Sequence, residues 1–237
     1  MTQIRLGDLR IDVVRKAIKH VHLSVHPPMG RVRMAAPERI RLDTLRVFAI
    51  NKLDWIRRQQ QALRAQVRET PRDYVERESH PVWGRRYLLT VCEVDAPPRV
   101  ELKPRSLLLQ VRPGTNSAKR GQLLEDWYRG LLRQSVPELI AAWAPRLGVR
   151  VDRVHIQRMR TKWGSCNPRA NSIRLNTELA KKPRECLEYI VVHEMVHLLE
   201  PRHGERFRTL MDRALPQWHA VRTELNRLPV RHEHWDY

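Results

Sequence analysis

The strongest chemical signal in the sequence is the run His193-Glu194-Met195-Val196-His197. On an α-helix, positions four apart share a face, so the rings of His193 and His197 can approach one metal ion. Glu194, beside the first ring, is then placed to take a proton from a water on that ion. A catalytic zinc site needs a third protein ligand and keeps its fourth position open. His203 is the first candidate. A continuous helix would carry it about 15 Å along the axis from His193 and off the ligand face. Pro201 cannot continue such a helix and biases Glu200 away from helical angles. The chain is therefore expected to turn after about Leu199 and to bring Arg202-His203-Gly204 back over the pair. Glu200 and Glu205 are the alternative third ligands.

A buried helix must carry these groups. Cys186, Leu187, Ile190 and Val191 precede them, and Val196, Leu198 and Leu199 follow. Pro183 suits a first turn, with Glu185 and Glu188 near the positive end of the dipole. Helices are expected from Pro183 to about Leu228, interrupted at Pro201 and Pro216. Upstream, Val154 to Met159 reads as a strand, Trp163-Gly164-Ser165 as a bend and Asn167 to Asn171 as a turn. Ser172 to Asn176 alternates as a half-buried strand. That strand reads equally as a sheet edge open to an extended peptide and as a core strand with Ile173 and Leu175 facing inward. His219, Arg160 and Lys162 are candidates for stabilising a developing oxyanion. Trp163 reads as a core anchor, and Cys166 as a small buried thiol rather than a nucleophile or a fourth ligand.

The first half of the chain is different in kind. Residues 3–35 read as short strands punctuated at Pro27-Pro28-Met29-Gly30. From about Glu38 to Arg68, apolar residues at three- and four-residue steps predict one amphipathic helix. Residues 81–112 turn β-like again, with runs at Tyr87–Val91 and Leu107–Val111 separated by Pro97-Pro98 and Pro104. Pro113 to Ser117 is the best internal boundary, dividing a basic α+β region (1–115) from the domain that carries the histidine pair (116–237). A helix over about Ala118 to Arg146 follows, which Pro137 should kink or break. His20, His22 and His26 fall at even spacing on a strand, but no carboxylate is close enough to make them a second metal site. His232-Glu233-His234 lies in the terminal tail, where solvent exposure or docking on the body is the default. No internal repeat is visible.

Charge adds a further reading. The 237 residues carry a formal net charge of +19, and residues 1–70 hold 15 Lys and Arg against 6 Asp and Glu. An Arg-rich, solvated surface accounts for this, and so does a nucleic-acid footprint in the first third. No apolar run approaches the ~20 residues that a membrane span needs, and the N-terminus lacks the apolar core of a secretory signal. Three cysteines with no C-x-x-C pair fit a reducing cytoplasm. Nothing in the sequence sets an oligomeric state.

Three stretches resemble the YgjP-like metallopeptidases, zincins with distant similarity to SprT-like proteins. They are Arg160-Thr161-Lys162-Trp163-Gly164-Ser165-Cys166, then Asn176-Thr177-Glu178-Leu179-Ala180, then Tyr189 through Pro201 with His203-Gly204. The resemblance extends to Pro81-Val82-Trp83-Gly84 and to Leu225-Asn226-Arg227-Leu228-Pro229. The chain departs from it at Phe207-Arg208, where members often have Phe-Trp as an aromatic wall. The resemblance implies zinc held by His193, His197 and His203, with Glu194 as catalytic acid and base. The expected fold is α+β, a zincin-like catalytic half with the metal-site helix and a small antiparallel sheet, preceded by a basic α+β N-terminal half. The expected function is a zinc-dependent metallopeptidase acting on peptide or protein substrates. The rival is a nucleic-acid-associated protein with a structural or regulatory zinc site, or a peptidase recruited to nucleic acid.

Overall fold

The computed structural model describes residues 2–26, 30–65, 72–159 and 162–228. They fall into two compact units, divided between Glu69 and Thr70. The first unit contains β1 (Thr2–Leu6), β2 (Leu9–Lys16), β3 (His22–His26) and β4 (Arg31–Pro37), then α1 (Leu42–Ile50) and α2 (Leu53–Ala65). Its sheet has the order β1-β2-β4-β3, with a parallel β2/β4 pair between antiparallel neighbours. Strand residues alternate between faces, so Ile4, Ile11, Val13, Val32, Met34 and Ala36 form one apolar side. That side packs on Leu45, Ala49 and Ile56 of the helices. The single helix expected over this region is two, because a turn at Asn51-Lys52 interrupts it while Leu45, Ala49 and Ile56 keep one buried stripe. His22 and His26 lie on β3, where the His26 ring bonds to Ser24 Oγ (2.9 Å) and joins no metal-binding group. The expected turn at Pro27-Pro28-Met29 lies outside the described residues.

The second unit begins with β5 (Ser79–Val82), β6 (Arg85–Glu93), β7 (Arg99–Leu102) and β8 (Ser106–Val111). Their order, β5-β6-β8-β7, repeats the strand order and pairing directions of the first sheet. This duplication is one of topology, not of sequence. α3 (Ser117–Leu147) follows, capped at Asn116, whose side chain accepts from Lys119 N (2.9 Å). The helix runs through Pro137 without ending. A mid-helix proline costs about 3 kcal/mol, but the buried stripe Leu124, Tyr128, Leu132, Val136 and Trp143 spans it on both sides and holds the helix to the core.

The turn at Pro113–Ser117 lies inside the second compact unit, and residues 72–112 share a core with the segment that carries the three histidines. Leu89, Leu107, Leu109 and Val111 belong to one apolar cluster with Leu124, Leu132 and Ile190. The β5–β6 turn is also bonded to the chain just ahead of the helix that carries His193 and Glu194. Trp83 N donates to Ala180 O (2.9 Å) and Gly84 N to Lys181 O (3.3 Å). Gly84 has φ +79°, and a Cβ there would sit 2.9 Å from Pro183 Cγ, so only glycine closes this turn. The Tyr128 hydroxyl fixes the same hairpin through Pro81 O (2.8 Å).

The remaining elements build the site. β9 (Arg153–Gln157), β10 (Gly164–Asn167) and β11 (Ser172–Asn176) form a small sheet of order β10-β11-β9. It is mixed, since β10 and β11 are antiparallel while β11 and β9 run parallel. Then come α4 (Arg184–Val196), α5 (Glu205–Ala214) and α6 (Trp218–Arg227). α4 is buried nearly all round, as expected of a central core helix. Among the described residues no helix is long and apolar enough to cross a membrane.

Candidate active site

α4 carries His193 and Glu194 in its last turn, and His197 caps it. Beyond, the chain reverses through Leu199 to Pro201 and re-enters a helix at Glu205, which returns His203 to the end of α4. The Nε2 atom of His203 lies 3.1 Å from that of His193 and 3.1 Å from that of His197. Ligand nitrogens around one tetrahedral zinc, with bonds of about 2.0–2.1 Å, stand about 3.3 Å apart. The tautomer of His197 favours the same reading. His197 Nδ1 donates to Glu200 O (3.0 Å), which turns the lone pair of a neutral ring onto Nε2. Three imidazole nitrogens grouped this closely at the end of a helix fit a divalent metal.

The electrostatics favour the neutral form, which a metal needs, at His193 and His203. Burial, then the neighbouring imidazoles of His197 and His203 and the Arg222 guanidinium, push His193 down to about 3. Partial burial first, then His197 and Arg222, lowers His203 as well. Both are neutral at pH 7. Phe207, 1 % exposed on α5, backs all three rings at centroid distances of 4.9, 4.7 and 4.8 Å. The chain thus supplies its aromatic wall one turn after His203, despite the arginine at 208. This role of Phe207 was missed in the sequence, although its four-residue spacing from His203 was a usable signal.

Glu194 is 5 % exposed, and burial raises its carboxyl to about 7, with Lys162 pulling the other way. β10 lies directly against it. The residues read from sequence as a bend at Gly164-Ser165 form this strand, and a Cβ on Gly164 would fall 2.5 Å from Glu194 Oε1. The strand offered as a possible sheet edge, Ser172 to Asn176, is central instead. β9 occupies its far side and Ile173 and Leu175 are fully buried, so the core reading holds. The edge beside the imidazoles is β10. It borders a cleft of about 310 Å³ lined by Lys162, Ser165, Cys166 and Pro168 on one side and by Glu194 and the three histidines on the other.

The other sequence candidates separate clearly. Glu200 caps the turn, its Oε1 accepting from Arg202 N (3.1 Å), and Glu205 opens α5; neither joins the imidazole group. His219 stacks on Trp218 (3.7 Å) with its side chain 67 % exposed and does not line the cleft, whereas Lys162 does. Arg160 lies outside the described residues, as do His232 and His234. Burial drives the Cys166 thiol up to about 11, with Glu194 adding to the rise, so at neutral pH it is a protonated wall group and not a nucleophile. Trp163 packs half-buried against the core.

A residue that the chemistry did not suggest organises the approach to the cleft. Asn176, 5 % exposed, donates through Nδ2 to Met159 O (2.8 Å) and Lys162 O (2.9 Å). Its Oδ1 accepts from Glu178 N (3.2 Å) and Met159 N (3.3 Å). Asn176→Ala strands several of these buried groups, each worth about 1–3 kcal/mol when left unsatisfied. The expected result is an unfolding free energy lowered by at least that much, read as a lower denaturant midpoint at a wild-type m-value.

The fold is α+β, and its cleft gathers three imidazoles and one buried carboxyl. A family model described as YgjP-like, metallopeptidase domain, matches residues 19–228, and the chain belongs to that family. Among solved structures it is similar to the metallopeptidase zymogen jannalysin of Methanocaldococcus jannaschii, at 18% identity and a TM-score of 0.35, over 38% of this chain and 93% of that one. It is likewise similar to the metallopeptidase zymogen abylysin of Pyrococcus abyssi, at 21% identity and a TM-score of 0.36, over 40% of this chain and 99% of that one. No curated protein matches it.

Proposed function

We propose that this chain hydrolyses peptide bonds with a zinc ion held by His193, His197 and His203 and with Glu194 as general base and then general acid. The observation that carries the reading is the Nε2 of His203 at 3.1 Å from those of both His193 and His197, in one cleft with a buried carboxyl and beside the edge strand β10. When bound, zinc supplies activation of a water and polarisation of the scissile carbonyl. The chain's own residues do the rest. β10 offers its outer edge to an extended peptide, whose main chain adds as a further strand. Glu194 accepts the proton of the attacking water as the new C–O bond forms. It then delivers that proton to the amine nitrogen as the C–N bond breaks. Lys162, at the cleft wall, keeps part of the Glu194 population ionised and remains a candidate for steadying negative charge on the carbonyl oxygen. The three cysteines form no disulfide, which fits a reducing compartment.

The test is metal analysis of the purified protein beside a general peptide-cleavage assay. One zinc per chain is expected, with activity abolished by a chelator and restored by added zinc. Because the metal binds the folded site, zinc at a thousandfold its Kd should also raise stability by about 4 kcal/mol. His203→Ala should lose both zinc and activity. Full cleavage by metal-free protein would overturn the reading.

A further inference from the structure

The first sheet has two unlike faces. One is the apolar side covered by α1 and α2. The other, reached by the alternate residues of the same strands, carries Arg5, Arg10, Lys16, Arg31 and Arg33, all exposed, around a single buried Asp12. The registers bring these groups together across the strands. Arg5 stands opposite Arg10, and Asp12 lies between Gln3 and Arg33. Arg31 stands opposite His26. Adjacent strands are about 4.8 Å apart, so the guanidinium groups form a band and not isolated points. Asp12 is the only carboxylate on the four strands. It accepts from Gln3 Nε2 (2.7 Å) and Arg31 Nε (2.6 Å), so it holds Arg31 in place; among the described residues Arg5, Arg10, Lys16 and Arg33 form no salt bridge, and one carboxylate faces five cations.

The topology does not require this charge. The second sheet has the same strand order, and its corresponding face is mixed. There Arg86 and Arg99 sit among Leu88, Thr90 and Leu108, and Arg99 is paired with Glu101 (3.2 Å). Two sheets of one design thus differ in what one face is dressed for.

We propose that this face of the first unit binds the phosphate backbone of a nucleic acid without reading its bases. Four arginines favour the assignment, because the planar guanidinium fork matches phosphate oxygens in pairs. The strands bring no Trp, Tyr or Phe to the face, so bases have nothing to stack on and contact is with the backbone. The same lack of large apolar residues removes the anchors by which a basic surface enters a lipid headgroup layer. This inference stands apart from the peptidase reading and rests on a different unit of the chain.

The experiment is fluorescence anisotropy of the full chain with two labelled 20-base-pair DNA duplexes of unrelated sequence, between 50 and 200 mM salt. Similar affinities for both duplexes are expected, falling steeply with salt at a log–log slope of about −0.9 per phosphate contacted. Arg5→Gln/Arg10→Gln/Arg33→Gln should weaken binding roughly tenfold or more at 50 mM salt and flatten the slope by about two to three. Arg85→Gln/Arg86→Gln/Arg99→Gln, on the second sheet, should leave affinity unchanged. The proposal is overturned if the wild type does not bind at 50 mM salt, if the first variant binds as well as the wild type, or if both variants lose affinity equally. Binding to vesicles containing 30% phosphatidylserine but not to either duplex would also overturn it, in favour of a membrane surface.

Discussion

Glu194→Gln is expected to keep one zinc per chain and to lower kcat by about 10²–10⁴-fold, the range for loss of a general acid–base group. The change is nearly isosteric. Its amide fits the volume between α4 and β10, and none of the three imidazoles depends on the carboxylate for a hydrogen bond. What disappears is the capacity to accept a proton. The pH profile should separate this effect from a packing defect. In the metal-free chain burial raises the carboxyl to about 7, and a divalent cation held by the adjacent rings stabilises the anion and moves that value down. The base works only when ionised, so wild-type kcat should fall as pH drops through the carboxyl's pKa, on an acid limb below pH 7. In Glu194→Gln the residual rate should lose that limb. Wild-type kcat in the variant would remove Glu194 from the mechanism. Loss of zinc along with the rate would make its role structural.

The grouping of His193, His197 and His203 was legible because it depends on local geometry. The four-residue spacing of His193 and His197 is a property of one helix, and Pro201 dictates that the chain turns before His203. What was not legible lies in long-range pairing. β10 is four residues long and begins with glycine, which weakens strand character in any local reading; only its pairing with β11 makes it a strand. β11 looked half-exposed because Arg174 and Asn176 are polar, yet Asn176 is buried by its hydrogen bonds to the 159–162 segment. The boundary expected at Pro113–Ser117 rested on turn residues alone. The partners that tie 72–112 to the site-bearing segment, Ala180, Lys181 and Pro183, are some 100 residues away in sequence. Pro137 misled in the same way, since local cost was outweighed by a buried stripe that continues past it.

Gly164→Ala is expected to lower kcat by about 10²-fold while zinc binding survives, the loss that a misplacement near 1 Å in a catalytic geometry produces. The added Cβ would fall 2.5 Å from Glu194 Oε1, 2.8 Å from Cγ and 2.9 Å from Cδ, all inside van der Waals contact. Something must move. The main chain of β10 is held by its ladder with β11, and Asn176 N donates to Trp163 O (2.9 Å) beside it. The carboxylate is the flexible partner, but at 5 % exposure it has little free space except toward the cleft and the imidazoles. It therefore rotates away from the position in which it meets the water. The atoms nearest that Cβ all belong to Glu194 and not to a histidine, so metal content should stay at one per chain. The fold should lose about 1–3 kcal/mol, as overpacking of a well-filled core usually costs. A double variant, Gly164→Ala/Glu194→Gln, distinguishes displacement from general damage. If the alanine acts only through the carboxylate, it should cost little further activity once the carboxylate is gone, and the two effects will fall well short of additive. Additive losses, or a Gly164→Ala enzyme with the wild-type rate, would show that β10 does not set the position of Glu194.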